Sequence, residues 1–535
     1  MSTAAFRAGA LLLALILTAL PARAQELRIG VQVETTSLDP HFASLSANLA
    51  TAMHVYGALV ERDETLRIRP GLAESWALID DSTWEFRLRR DVRFHDGSPL
   101  TAADVKASIE RVAAVPNSPS PLTGYTRRIR AIEIVDPHTV RLRTDGLFTL
   151  LPSYLSGISI MSRTALESAA LPENRSGPLL ATSEQINAGK GAAGTGPFRV
   201  VEWKRGEQLV LERFDGYHGE KPAWRRVVIV PIANNSARVA ALLSGHVDLI
   251  DYVPLADVAG LKRNPKVRVR DSVTTRIIFL AMDRHRDQPL LVVDKNGRPL
   301  DRNPFDDIRV RQAISKAIDR RAIVDHVMEG HAAATGQIMP EGFVGHIADL
   351  AADRFDPAAA RRLLAEAGYP DGFGLTLHGP RNRYPNDAQI AQAIGQMLAR
   401  IGIQTNVVTV PPAAFFPASG RLEYSFLLTG YGIVTGEPSS FMTFSLLTWD
   451  KDRGRGAGNR GRYSNPRLDA LYDEALATAD PARAEEVLRR ATREVVEDVG
   501  FVPLLHNLHS WAMRPDIDYA GRTDEYTLAH HVRRR

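Results

Sequence analysis

The stretch Ala241–Tyr252, ALLSGHVDLIDY, passes from helix through a Ser-Gly turn into strand, and this alternation constrains the fold more than any other feature. A helix-period pattern feeding a short apolar run belongs to α/β architectures, in which helices cover a sheet. The alternation returns downstream: Phe373–His378 reads as a strand, Ala388–Ile401 as an amphipathic helix and Gln404–Val410 as the next strand. Upstream, Glu26–Gln32 alternates as a first strand and Thr83–Arg89 as a half-buried one, with Trp84, Phe86 and Leu88 on one face. Thr101 begins a helix with Asp104 as its capping partner. Leu49–Val60 and Asp307–Met328 are predicted as helices, and Phe501–Leu505 as a closing strand. With 535 residues the chain has room for two or three domains. The Gly-rich polar stretch Pro172–Gly194 is the expected crossing between subdomains.

The first 24 residues have their own pattern. Arg7 precedes an apolar run, Ala10 to Leu20, too short to span a bilayer; Pro21 breaks it, and Ala22-Arg23-Ala24 is a small-x-small cleavage site. A secretory signal peptide is expected, a short membrane anchor being the alternative. Residues 25–535 then carry 64 Lys+Arg against 62 Asp+Glu, a net charge of +2, which argues against a nucleic-acid binder. With no cysteine in the chain, disulfides, thiolate metal sites and lipid attachment to an N-terminal cysteine are all excluded. The periplasm is the expected compartment.

Three loops carry candidate site residues. After the strand Tyr424–Leu428, the glycines Gly430, Gly432 and Gly436 alternate with Tyr431, Thr435 and Glu437. A core strand ending in such a loop is either a tight exit or the lining of a small-molecule site. In Thr35–Pro40 the hydroxyls either line a site or make turn hydrogen bonds; Thr36, Ser37 and Leu38 are its candidates. Arg381, Arg383 and Tyr384 lie between a strand and a helix, where guanidiniums either fork onto a carboxylate ligand or stand solvated. Gly189-x-Gly191-x-x-Gly194 matches the dinucleotide fingerprint, but polar residues precede it and a strand follows, so it reads as a flexible crossover. His506 and His509, and the pair His530-His531, match no zinc-site spacing. Neither a Gly-x-Ser-x-Gly elbow nor a His-Glu-x-x-His is present. No catalytic residue, cofactor or metal site is expected.

Seven ordered motifs resemble one family. They are SLDP (37–40), RFHDGSPLTAADVKASIERV (93–112), GTGPFRV (194–200), SGHVDLI (244–250), NPFDDIRVRQAISKAIDRRAIV (303–324), LLAEAGYPDGF (363–373) and RYSNPRLDALYDEAL (462–476). The family is the bacterial extracellular solute-binding proteins, family 5, the periplasmic receptors of peptide, opine, glutathione and nickel ABC importers. The resemblance implies a two-lobed α/β periplasmic binding protein fold with three subdomains and a hinged ligand cleft. Lobe one would comprise residues 25–58, 191–275 and 506–535, with an inserted subdomain over 59–190; lobe two would span 276–505. A monomer would deliver its solute to permease subunits served by a separate ATPase. In peptide-binding relatives an aspartate in the loop matching 429–438 pairs with the peptide's α-ammonium. Here that place holds Val434, the nearest acid being Glu437, and glutathione-binding relatives carry a similar Thr-Gly-Glu. A modified peptide, glutathione-like compound or opine is therefore expected. A secreted hydrolase of peptides or amides is the competing reading, and it requires a nucleophile–base pair in the cleft.

Overall fold

The computed structural model describes residues 25–170 and 180–535. The signal-peptide segment and part of the expected crossing Pro172–Gly194 therefore lie outside the described residues. The body is organised on two unusually long antiparallel strands, Arg268–Met282 and Val502–Met513. Their far ends, paired as Arg268 with Met513, join a sheet containing Gln208–Arg213, Arg226–Pro231 and the first strand Glu26–Val31. Their near ends join Phe426–Gly432, Phe373–Pro380 and Ile403–Val410. One hydrogen-bonded strand order thus runs through both lobes, and the two strands that cross between them slip register between Val273 and Ile277. A slip of this kind bends the strands and re-aims side chains, as a bulge does.

Each lobe has its own apolar core. Leu27, Ile29, Phe198, Trp224 and Trp511 are buried together on one side; Phe305, Ile314, Leu377, Ile394 and Leu428 on the other. A third core lies under the four-stranded antiparallel sheet Ala73–Asp80, Thr83–Leu88, Thr139–Thr144 and Ile129–Asp136, where Phe86 and Leu88 meet Val105, Ile109 and Val112 of the helix Ala102–Ala114. That helix starts as its sequence predicts: Asp104 accepts hydrogen bonds from the Thr101 N–H at 2.9 Å and the Thr101 hydroxyl at 2.7 Å. Segregating three cores around strands and covering helices gives the two-lobed α/β fold.

Four expected elements change extent. The helix predicted over Leu49–Val60 spans Ser46–Val55 and gives way to short strands at Gly57–Ala58 and Val60–Arg62. The strand predicted over Tyr424–Leu428 is Phe426–Gly432, because its pairing with Arg276–Met282 carries Gly430, Tyr431 and Gly432 into the ladder. The helix predicted over Asp307–Met328 ends at Ala317 and restarts after Asp319, whose carboxylate accepts the Ala322 N–H at 2.9 Å. A capping side chain in mid-pattern offers the backbone a competing partner, and apolar spacing alone does not register it. The closing strand is longer than predicted, Val502–Met513, because it pairs on both sides and admits His506 and Asn507 to the buried ladder. Among the described residues no helix is long and apolar enough to cross a membrane.

Candidate functional site

The register slip between the lobes opens a cavity of about 360 Å³, within the range of roughly 300–1,000 Å³ for small-molecule sites. Thr274 occupies the slip; its hydroxyl donates to Asn507 O at 3.1 Å and accepts the Arg276 N–H at 3.2 Å. Arg276 faces the cavity and meets Glu525 of the C-terminal tail in a bidentate pair, with Nε 2.9 Å from Oε1 and Nη2 2.7 Å from Oε2. Burial alone would push Glu525 up, but the charge and hydrogen bonds of Arg276 hold it below the usual carboxylate range. Burial likewise opposes the Arg276 charge, and Glu525 more than offsets it, leaving the guanidinium pKa raised. The tail also brings Asp524 to the wall, where it is held by Arg522 at 2.7 Å.

Arg383 faces the same cavity without such a partner. Its backbone N–H donates to Asp387 at 2.8 Å and its guanidinium lies 5.1 Å from the Tyr384 ring centre, but among the described residues no hydrogen bond is made by the guanidinium. Arg383 is exposed on the open side of the cleft, where water serves its guanidinium; partial desolvation, then the neighbouring Arg276 charge, push its pKa down. A cation in this position is stabilised by an incoming anion. On the same lobe Tyr431 stacks on Phe444 at 5.2 Å, so an aromatic wall adjoins the guanidinium, and Val434 continues that wall. From the opposite lobe Ser44, Ser46 and Tyr125 complete the rim.

The fold thus brings Arg383, Tyr431 and Gly432 together at one cavity, and it places the other sequence candidates elsewhere. Tyr384 is buried in the lobe core; its hydroxyl donates to Gly430 O and accepts the Gly430 N–H, both at 3.0 Å, clamping the strand that carries Tyr431. Arg381 is exposed and lines no part of this cavity. The Thr435 hydroxyl is used within its loop, donating to Glu437 O at 3.0 Å and sharing a hydrogen bond with the Ser440 hydroxyl at 2.8 Å; Thr435 borders a smaller cavity behind Val434. Glu437 turns inward and accepts the Ser439 N–H and hydroxyl at 2.7 and 2.6 Å. Its burial pushes the carboxyl pKa up despite those bonds. Thr36 is held by Asn48; Ser37 donates to Asn187 at 3.0 Å; Leu38 is buried with its N–H on Asn187 at 2.7 Å. For these three the turn reading describes the geometry.

Sequence reasoning passed over Arg276, Asp524 and Glu525. Arg276 had a signal, an arginine opening the otherwise buried run TRIIFLAM, since such a group needs a partner. The tail had none, because its place follows from the return of the chain to the first lobe. The histidines also disperse. His506 is buried in the central strand, His509 bonds to the carbonyl of Asp251, and His530 packs edge-on against His54 with ring centres 5.9 Å apart. Among the described residues no group of three or more His, Asp or Glu side chains is arranged to hold a metal. Of the glycines of the rejected fingerprint, Gly194 serves packing, since a Cβ there would lie 2.0 Å from Val55 O, while Gly189 and Gly191 take left-handed backbone at φ +79° and +77°.

The described residues thus form two lobes joined by crossing strands, with a cavity between them. The family profile for bacterial extracellular solute-binding proteins, family 5, matches residues 67–452, and the chain belongs to that family. It is a solute-binding receptor of the ABC-importer class. The chain is 28% identical over 508 residues to the glutathione-binding protein GsiB of Salmonella choleraesuis (strain SC-B67), covering 93% of this chain and 92% of that one. Among solved structures, the periplasmic binding protein DppA from Helicobacter pylori in complex with peptide STSA superposes with a TM-score of 0.76 at 23% identity, covering 95% of this chain and 98% of that one. The PBP AgaA in complex with agropinic acid, from A. tumefacien R10, superposes with a TM-score of 0.73 at 25% identity, covering 95% and 99%.

Proposed function

We propose that the protein captures a small carboxylate-bearing solute, a modified peptide, glutathione-like compound or opine, in the interlobe cavity and passes it to membrane permease subunits. The observation that carries this reading is Arg383, an exposed guanidinium at the cavity mouth with no protein acceptor among the described residues, while the neighbouring Arg276 is matched by Glu525. Val434 supports it from the other side, because no unpaired carboxylate stands there to hold a free ammonium. The relatives named for glutathione and agropinic acid agree with this ligand class. Lobe closure would bury the solute.

The finer reading is of a periplasmic monomer, cleaved after Ala24 and carrying no lipid, working with a separate ATPase and catalysing no reaction. Its subdomains would be 25–58, 191–275 and 506–535 for lobe one, 59–190 for the insertion and 276–505 for lobe two; the core from Leu59 to Ile160 supports a separate insertion, whereas Met161, Leu166, Ala181 and Ile186 pack with lobe one, which favours ending the insertion near residue 160.

Titration calorimetry with glutathione, an opine and plain di- and tripeptides tests the ligand class. Arg383→Gln should weaken the best ligand about tenfold or more, the scale of one charge-assisted hydrogen bond. Tight binding of plain peptides that is lost on acetylating their amines, or unchanged affinity in Arg383→Gln, overturns the reading.

A further inference from the structure

Behind the interlobe cavity lies a smaller one of about 110 Å³. Val434, Tyr125, Asp524 and Tyr526 line both, so the two spaces meet at a neck formed by these side chains. The inner wall holds a buried donor with spare capacity. Arg522 is 1% exposed; its Nε and Nη2 donate to Asp524 at 3.1 and 2.7 Å, while Nη1 is buried without a hydrogen-bond partner. His530, on the same wall, leaves Nδ1 unpartnered. Folded proteins leave few buried polar atoms unpaired, each costing about 1–3 kcal/mol.

The other arginines of this wall are already used. Arg62 donates to Leu66 O at 2.7 Å, Thr435 O at 2.6 Å and Ser153 O at 2.9 Å, and Arg69 pairs with Glu61 at 2.9 Å. Three guanidiniums thus stand against Glu61 and Asp524 on the wall and the buried Glu437 that faces Arg62. Burial lowers the pKa of His531 to about 4 and that of His530 well below its ordinary value, so neither adds charge at neutral pH. The neck carries the Asp524 carboxylate, neutralised by its ion pair with Arg522, beside the uncharged Val434, so the feature that distinguishes the chamber is the buried Arg522 Nη1 with no acceptor.

We propose that the inner cavity is a second ligand subsite that receives a carboxylate arm past Val434 onto Arg522, so the solute is a two-ended anion held at Arg383 and at Arg522. This rests on the reading of Arg383 as the anion site of the cleft. A carboxylate adds the acceptor that Nη1 lacks, whereas an ammonium arm would meet that same donor with no acceptor of its own.

The test is calorimetry on the full mature chain with diacids (glutathione, octopine, glutarylglycine) and their two monoamides. The best diacid should lose about tenfold or more when either carboxylate is amidated, one charge-assisted hydrogen bond at each end. Arg522→Gln should abolish the penalty for one amide and keep it for the other. Because Arg522 is buried, Val434→Phe, which fills the neck and leaves Arg522 on Asp524, provides a second arm with the same expected result. If monoamides bind as tightly as diacids and neither variant alters the ratio, while Arg383→Gln still abolishes binding, the inner cavity is only water-filled and the proposed function stands. If Arg383→Gln binds as the parent does, or no diacid binds, both readings fall.

Discussion

Asp39 shows how a motif can be legible while its work is not. The tetrapeptide Ser37-Leu38-Asp39-Pro40 carries family resemblance, and the hydroxyls of Thr35, Thr36 and Ser37 invite a site reading. In the fold Asp39 accepts from Arg111 Nη1 and Nη2 at 2.8 and 2.6 Å, Ser183 at 2.6 Å and the His41 N–H at 3.0 Å, and both ion-pair partners are buried. The partner lies 72 residues away on another element, beyond any local pattern. Asp39→Asn leaves the buried Arg111 without its counter-charge and should cost about 3–5 kcal/mol, read from denaturant midpoints at constant slope. The acid dependence has a defined sign. Burial alone would push Asp39 up, but Arg111 holds it below the usual carboxylate range. The folded pKa lies below the unfolded one, so the contribution is complete above about pH 4 and is lost as pH falls through the folded value. The parent should lose this increment in acid and Asp39→Asn should not.

At the scale of elements, the strands and covering helices were readable because periodicity reports burial directly. The loop Ile433–Ser440 was readable as a loop and ambiguous as a site. Its residues divide by which way the backbone turns them: Val434 outward to the cavity, Glu437 inward as a local acceptor. Gly436 settles that turn. Its φ is +73°, and an added Cβ would lie 2.6 Å from Leu66 O and 2.8 Å from Leu66 Cβ, across the cleft. Arg62 reaches the same place, donating to Thr435 O at 2.6 Å. The lobes therefore meet at a position where only glycine allows both the left-handed backbone and the close approach. Gly436→Ala should hold the lobes apart while leaving each lobe folded. Small-angle scattering with saturating ligand should show no ligand-induced decrease in radius of gyration, and affinity should fall. Normal compaction of the variant would remove the closing contact from this loop.

Across the whole molecule the titratable groups are unevenly shared between the lobes. Among the described residues, burial pushes His41, His54, His95, His218 and His531 down to about 4, and His530 lower still, all on the side of the first strand Glu26–Val31. On the other side only His378 is lowered, and His506, on the strand shared by both lobes, falls to about 3. This asymmetry could not be read from the sequence, where fifteen histidines are scattered along the chain; their burial follows from distant partners, Ser159 for His41, Gly196 for His95 and the returning tail for His54. An unfolded histidine titrates near pH 6.5. Between that value and about 4 the unfolded chain binds protons that the folded lobe refuses, so the contribution to stability is complete above about pH 6.5 and diminishes as pH falls toward the folded values. Six such groups in one lobe, against one in the other and one shared, make acid selective. Hydrogen exchange at pH 5 and pH 7, corrected for intrinsic rates, should show Glu26–Val31 and Arg226–Pro231 losing protection while Phe373–Pro380 and Ile403–Val410 keep theirs. Because the cleft needs both lobes, ligand affinity should fall with the loosening of the first lobe. Equal loss of protection in the two lobes, or earlier loss in the second, would rule out the buried histidines as the cause.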